Sequence, residues 1–407
     1  MNGLRILLGC DQAPLPEGSA VGRWCYALLN GLVSRGHQVT AFAACKSDAE
    51  ARAVGELVPR PGLDIRCFVW TQGKGFSGKL ETLRRPHWYL FGPNAVHQWR
   101  AETKRRYDIV QLEGTFAGRL ADFPETPRTI LNVHNLYSID WAKDSSTDWN
   151  ARLRRSLSLR AERKLIRSFP TLLAVTAPLA AEVARIAPFS DVYDVPLALD
   201  LDRYDFIPQE KRPLDPMVAM IGSMDWPPSK NAAERLLTRL WPEIRKRIPH
   251  ARLQITGTSA RGALREYLNE PMLEIQENVA SIQPYFENAS VLLYAPERGS
   301  GMKVKVLEAF AYGVPVVTTP SGIEGLDVED GVHAGVHETD QALIERAVEL
   351  LRDPVRQEAQ RRAARHLLET KYTVAAVMER LEHVYAKVLS TRHVPELEIT
   401  EQYAGRR

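Results

Sequence analysis

Residues 296–325, PERGSGMKVKVLEAFAYGVPVVTTPSGIEG, constrain the fold more than any other stretch of this chain. A glycine-rich loop, Gly299-Ser300-Gly301, leads into a helical run over 304–312. Gly313 ends that run, a strand is expected over 314–319, and a second loop turns at Gly322 and Gly325. Glycines let backbone N–H groups come close to an anion, and a helix N-terminus adds a partial positive charge. Arg298 before the loop, and Lys303 and Lys305 after it, add whole charges. The segment is therefore expected to hold a phosphate or diphosphate. Taken alone, the loop reads as an ordinary turn before a helix. The flanking lysines and Glu308, set in an apolar helix, favour a ligand.

The same alternation runs through the rest of the chain. Strands are expected over 5–10, 38–44, 108–113, 129–133 and 171–175. A helix over 22–35 repeats Trp24, Leu28, Leu29 and Leu32 on recurring faces and stops at Gly36. Residues 195–202 read as a crossing between domains, and Pro208, Pro213 and Pro216 punctuate a polar stretch after it. A second unit follows, with strands over 217–222, 252–256, 290–295 and 314–319, then a helical tail from about 340 to 389. Alternation of this kind means parallel α/β sheets with helices on both faces. At 407 residues the chain can bury two such cores. The expected domains are a Rossmann-like 1–198, a Rossmann-like 199–372, and 373–407 as a helix crossing back to the first domain before a frayed tail. Ligands of such sheets bind outside the carboxyl ends of the strands, so two facing domains would share one cleft.

Composition excludes several classes. Apolar content of 44% and charged content of 25% are those of a soluble globular protein. No apolar run approaches the roughly 18 residues that span a bilayer, and residues 1–8 lack a signal-peptide core. Cys10, Cys25, Cys45 and Cys67 show no CxxC spacing and no accompanying histidines, so they read as reduced core residues rather than zinc ligands. Residues 1–200 hold 26 Lys and Arg against 20 Asp and Glu, so an anionic partner for this half is one reading and an uneven solvated surface another. Two basic tracts carry this excess. One is 152–167, with Arg152, Arg154, Arg155, Arg160, Arg163, Lys164 and Arg167 against Glu162 alone. The other is 84–106, where Arg84, Arg85, Arg100, Lys104, Arg105 and Arg106 alternate with Trp88, Tyr89, Phe91 and Trp99. Basic residues among aromatics suit the inner face of a membrane as well as a solvated helix face; no nucleic-acid motif accompanies them.

Several stretches resemble one family in order along about 390 residues. Gly301-x-Lys303-x-Lys305-Val306-Leu307-Glu308-Ala309, with Gly313-x-Pro315-Val316-Val317, resembles the donor-site motif of retaining GT-B glycosyltransferases of the family-4 type. Within that family it is similar to the bacterial sugar transferases of exopolysaccharide assembly. Gly222-Ser223-Met224-Asp225-Trp226 with Pro228, Val133-His134-Asn135, and Arg35-Gly36-His37-x-Val39 resemble further segments of that group.

The resemblance implies roles. Glu308 would contact the nucleotide ribose, a task suited to a carboxylate because it accepts two hydroxyl hydrogen bonds. Ser300 stands where the family has a sugar-binding glutamate; Glu297, nearby, is the substitute considered. Arg298, Lys303 and Lys305, with the backbone of Gly18, Ser19, Gly222, Gly301 and Met302, would surround the diphosphate. Fixed cations there stabilise the charge that grows on the leaving group. The family's arginine after the first strand of the second domain is Ser223 here, and Lys230 comes late, so Arg298 is preferred. His134 would face the donor sugar as the catalytic-side residue. Asn278 and Val279 would meet the base through their backbone. Trp24 and Trp226 read as packing residues.

The implied activity is metal-independent transfer of a hexosyl group, with retention, from a nucleoside-diphosphate sugar held by the donor domain, 199–372, to a lipid-linked glycan or small molecule held by the acceptor domain, 1–198. No resident cofactor is implied, and the expected setting is cytoplasmic or peripheral to the inner membrane face. Two other readings share the fold: a nucleotide or glycan binder without turnover, motivated by Ser300 and Ser223, and a nucleotide-sugar epimerase.

Overall fold

The computed structural model of the chain describes residues 3–57, 60–71, 81, 85–121, 128–142, 149–212 and 215–390. The expected frayed tail and Arg84 lie outside these residues.

Two fully parallel sheets form the frame. The first has the order β3-β2-β1-β4-β5-β6-β7, with β1 at Arg5–Cys10, β2 at Gln38–Cys45, β3 at Leu63–Val69, β4 at Ile109–Glu113, β5 at Thr129–Val133, β6 at Thr171–Ala174 and β7 at Asp191–Asp194. The second has the order β10-β9-β8-β11-β12-β13, with β8 at Met217–Ile221, β9 at Arg252–Thr256, β10 at Leu273–Gln276, β11 at Val291–Tyr294, β12 at Val316–Thr318 and β13 at Gly335–Val336. In each sheet the order reverses between the first and fourth strands, β1 beside β4 and β8 beside β11. A crevice opens at such a switch point, at the strands' carboxyl ends.

The central strands are apolar runs because helices cover both faces. In β1, Ile6, Leu7, Leu8 and Cys10 are wholly buried. Helix α1 (Ala20–Ser34) follows, and Ser19 caps it by accepting a hydrogen bond from the Gly22 N–H at 3.0 Å. Helix α2 (Trp149–Ser168) carries the first basic tract, helix α3 (Pro227–Arg235) follows β8, and helix α4 (Val304–Tyr312) precedes β12. The last helix, α5 (Val374–Ser390), returns to the first sheet. Glu382 pairs with Arg35 and His37, and the Tyr385 hydroxyl donates to Gln111 Oε1 at 2.7 Å.

The strand expected over 314–319 is shorter. The Val314 N–H donates to Ala309 O at 2.7 Å, which closes the end of α4, and Pro315 has no N–H to give a ladder. Strands β3, β7, β10 and β13 were not expected. All four are edge strands, and β13 is two residues long. All four cysteines are free, as expected, and Cys67 alone is not fully buried.

The aromatics of the 84–106 tract do not form an exposed face. Trp99 and Phe91 are buried in the core, 1% and 7% exposed, and Trp99 meets Phe42 of β2 edge-on at 5.2 Å. The basic face of α2 is different: Arg152, Arg154, Arg160, Arg163, Lys164 and Arg167 are exposed.

Candidate active site between the two domains

The glycine-rich loop after β11 meets the first domain directly. Gly301 has φ +72°, and a Cβ on it would lie 2.0 Å from the His134 carbonyl oxygen. Only glycine allows both that conformation and that approach. The Gly301 N–H donates to Glu324 Oε1 at 3.0 Å, and Thr176 Oγ1, from the other domain, donates to the same oxygen at 2.8 Å. Lys303 is buried, and its ammonium donates to the Ser300 and Gly301 carbonyls. It holds the loop's shape rather than pointing to open space.

Ser300 is also committed. Its N–H and hydroxyl donate to the two oxygens of Asp140 at 2.7 and 2.9 Å, and its Oγ accepts from the Leu136 N–H at 2.8 Å. A carboxylate therefore stands beside position 300 after all, supplied by the facing domain. Glu297 points elsewhere, 3.5 Å from Arg239. Arg298 is exposed and, with Asp140, Met224, Lys230 and Glu297, lines an interdomain cleft of about 430 Å³. Lys230 lies 3.8 Å from Glu234 of its own helix.

Lys305 and Gly222 come together at the second domain's switch point. A Cβ on Gly222 would lie 2.6 Å from Lys305 Nζ. That ammonium donates to Ser229 Oγ at 2.7 Å and sits 4.0 Å over the Tyr294 ring. Burial, then the nearby Lys303 charge, lower the Lys305 pKa to about 7, against a smaller pull from Glu308. Met302 is buried in the loop.

Glu308 is 2% exposed, in the middle of α4 rather than at its start. Burial raises its pKa, and Arg23 opposes that. Arg23 Nη2 lies 3.1 Å from Oε2, and the Tyr204 hydroxyl donates to Oε1 at 3.3 Å. Arg23 also donates to the Gly18 carbonyl at 2.9 Å, so the loop of Gly18 and Ser19 is tied to the second domain through Glu308. Asn278 is exposed, with φ +53°, and Val279 is half-buried; both follow β10 at the sheet's far edge. Lys305, Gly222 and Gly301 thus gather on one wall. Asn278, Val279, Arg298 and Glu297 stand apart from them.

The opposite wall centres on Glu113, at the carboxyl end of β4 and fully buried. It accepts from Trp24 Nε1 at 2.7 Å, Gln111 Nε2 at 2.5 Å, Asn132 Nδ2 at 3.0 Å and His134 Nε2 at 2.7 Å. Burial alone would raise its pKa, but the His134 hydrogen bond and charge, with the Gln111 and Trp24 bonds, hold it below the usual carboxylate range. A carboxylate only accepts, so Nε2 of His134 carries the proton. Trp24 thus packs, as expected, and also binds. Trp226 meets Tyr137 edge-on at 5.8 Å across the cleft. Arg23, Glu113, Asp140, Tyr204 and Glu324 were missed from sequence. Only Glu113 offered a local signal, a lone acid ending an apolar strand. Among the described residues no group of three or more His, Cys, Asp or Glu side chains is arranged to hold a metal.

Comparison with known proteins agrees with this architecture. Residues 21–203 match the family model described as Glycosyltransferase Family 4, and residues 215–353 match that of Glycosyl transferases group 1. Sucrose-phosphate synthase from Thermosynechococcus elongatus superposes with a TM-score of 0.69 at 15% identity, over 96% of this chain and 100% of that one. Anabaena HepE, solved with UDP and glucose, gives 0.66 at 14% identity, over 94% and 100%. A glycosyltransferase from Rickettsia africae gives 0.63 at 13%, over 96% and 100%. No curated protein matches by sequence. The fold is GT-B. With a glycosyltransferase model matching each domain, the class these observations define is the two-domain GT-B glycosyltransferase.

Proposed function

We propose that this chain moves a hexosyl group from a nucleoside-diphosphate sugar to an acceptor hydroxyl, with retention of configuration and no bound metal. The observation that carries the reading is the meeting of two switch points. Lys305 and Gly222 lie on one and Glu113 on the other, and His134, one strand over, bonds Glu113 and meets Gly301 through its carbonyl. Such crevices are where doubly wound domains bind ligands. Anabaena HepE, of the same fold, was solved with UDP and glucose.

In this reading Lys305 takes the diphosphate, and Glu308 takes the ribose once Arg23 shares or yields its oxygen. Negative charge grows on the leaving diphosphate as its bond to the sugar breaks. A fixed ammonium beside it lowers the transition state more than the ground state. The proton of the acceptor hydroxyl passes to that leaving diphosphate on the same face, as the new bond from hydroxyl oxygen to sugar carbon forms. The interdomain cleft of about 430 Å³, lined by Asp140, Arg298 and Glu297 rather than by Lys305, Gly222 or His134, lies in the size range of small-ligand sites. There Asp140, with Ser300, stands in for the sugar-binding glutamate.

The test is incubation with a panel of nucleoside-diphosphate sugars and varied acceptors. Nucleoside-diphosphate release supports transfer. A new nucleotide sugar means epimerisation, and binding without turnover means a binder; either outcome refutes the proposal.

The acceptor side bears on location. Arg160, Arg163, Lys164 and Arg167 share one exposed stripe of α2. Phe189, 100% exposed, lies beside its end, where Arg167 Nε donates to Ile186 O at 2.9 Å. No helix among the described residues is long and apolar enough to cross a membrane. A cationic stripe beside an exposed aromatic suits the surface of an anionic bilayer. We expect the protein to sediment with phosphatidylglycerol-containing vesicles at low salt and not with pure phosphatidylcholine. Joint replacement of Arg160, Arg163 and Lys164 by Glu should abolish this; unchanged sedimentation would refute the membrane contact.

A further inference from the structure

Glu162 is the lone acid of the basic 152–167 tract. Most of the cations around it face solvent, but Glu162 turns the other way and is fully buried. Ile166, one turn further along α2, is wholly buried in the core, so Glu162 projects from a fixed helix. Its partners are two backbone N–H groups of the segment after β5. Tyr137 N–H donates to Oε1 at 2.7 Å, and Ser138 N–H to Oε2 at 3.3 Å. Burial raises the Glu162 pKa to about 7, and these two bonds oppose that. Burying a carboxyl costs stability unless its bonds offset the lost water. Here both bonds go to one short turn.

That turn, Tyr137–Asp140, is four residues long, too short to keep a helical shape unaided. Both of its ends reach the second domain at one residue, Ser300. Leu136, just before the turn, donates its N–H to Ser300 Oγ at 2.8 Å. Asp140, at its end, accepts from the Ser300 N–H at 2.7 Å and from its hydroxyl at 2.9 Å. Asn135 Nδ2 steadies the same carboxylate at 3.1 Å. Asp140 lines the interdomain cleft, whereas the bonds of Glu162 stop at the turn. One buried acid thus fixes the turn, and the turn aims a second acid at the glycine-rich loop.

We propose that Glu162 is a positioning residue: through the Tyr137–Asp140 turn it holds the Asp140 carboxylate against Ser300, where a transferred sugar would meet it. The inference rests on the glycosyltransferase reading, in which Asp140 with Ser300 contacts the sugar, and names the group that sets the place of that carboxylate. Small displacements of a positioned group cost large factors in rate, so a residue two links away can govern turnover.

The experiment is hydrogen exchange of the full chain, read at single amides by mass spectrometry with fragmentation. The amides of Leu136 and Ser300 report the contact, because each donates across the domain boundary. In Glu162→Ala both are expected to exchange about tenfold faster, the size of a lost hydrogen bond to a charged group, while β5 and β11 keep their protection. Glu162→Gln retains one acceptor oxygen and should restore part of that protection. Adding Glu162→Ala to Asp140→Ala should change nothing further at Ser300. Thermal melts check folding, and Glu162→Gln carries the comparison if Glu162→Ala does not fold. Faster exchange confined to Tyr137 and Ser138, or an additive double variant, overturns the proposal. Turnover of UDP-, GDP-, ADP- and dTDP-sugars and affinity for the matching nucleoside diphosphates are measured on the same samples. Glu162→Ala should lower turnover about tenfold or more and leave nucleotide affinity within about twofold, since Lys305 and Glu308 keep their places. Equal losses in both would overturn the positioning role. If the wild type neither binds nor turns over any of them, the glycosyltransferase reading falls, and the exchange at Ser300 still decides what Glu162 holds.

Discussion

Nucleoside-diphosphate affinity falls by about tenfold or more between pH 7 and pH 8.5, and Lys305 is the cause. Its ammonium titrates near pH 7 because burial and the Lys303 charge both disfavour the charged form. An anion binds the charged form, so below that value the site is ready. Above it, binding must first bring a proton back to Nζ, and each further pH unit costs up to about tenfold. The terminal phosphate of a free nucleoside diphosphate completes its ionisation at the lower edge of this window, which opposes the fall, so the profile is also taken with a nucleoside-diphosphate sugar, whose diphosphate is a diester and does not titrate there. Calorimetry in two buffers of different ionisation enthalpy should show proton uptake at pH 8. Lys305→Arg stays charged throughout and should flatten the profile. Lys305→Ala should bind weakly at every pH. A flat wild-type profile, or Lys305→Ala with wild-type affinity, removes Lys305 from the diphosphate site.

Glu113→Ala costs about 3 kcal/mol or more of stability, because it strips a fully buried carboxylate from its partners. Trp24, Gln111, Asn132 and His134 all donate to it, and none is exposed enough to turn to water. The effect depends on pH with a definite sign. The folded pKa of Glu113 lies below its ordinary value, so its stabilisation is present above the unfolded carboxylate pKa and is lost as pH falls through the folded one. The gap in melting temperature between wild type and Glu113→Gln should therefore be full at pH 6 and narrow as pH falls below the ordinary carboxylate range. A gap that does not change with pH would mean that Glu113 acts by shape alone.

The glycine-rich loop and helix on the second domain's wall were legible because their parts are close in sequence. Gly301, Lys305 and Glu308 lie within one turn-and-helix unit, and α4 has the bounds expected from its apolar run and its closing glycine. The facing half was not legible, because its contacts join residues far apart in the chain. Arg23 meets Glu308 across 285 positions and Asp140 meets Ser300 across 160. No local pattern marks such a partner. Sequence read Ser300 as a missing carboxylate; the fold places the Asp140 carboxylate against it. The central strands were legible from their apolar runs. The edge strands were not, since β3 is only partly buried and its pattern is correspondingly mixed.

Arg23 matters for the order of events. Its guanidinium occupies Glu308 and joins the two domains at the point where a ribose would bind. In the proposed reading nucleotide shares or displaces that contact, which would couple donor entry to the spacing of the domains.

The central claim is transfer from a nucleotide sugar with retention, and real-time proton NMR of the full chain with UDP-, GDP-, ADP- and dTDP-sugars tests it most directly. The account predicts that one donor releases its nucleoside diphosphate, and that the first sugar signal to appear, before mutarotation, has the anomeric configuration of the donor. A first-formed sugar of the opposite configuration, or intact donors throughout with bound nucleotide, would contradict it.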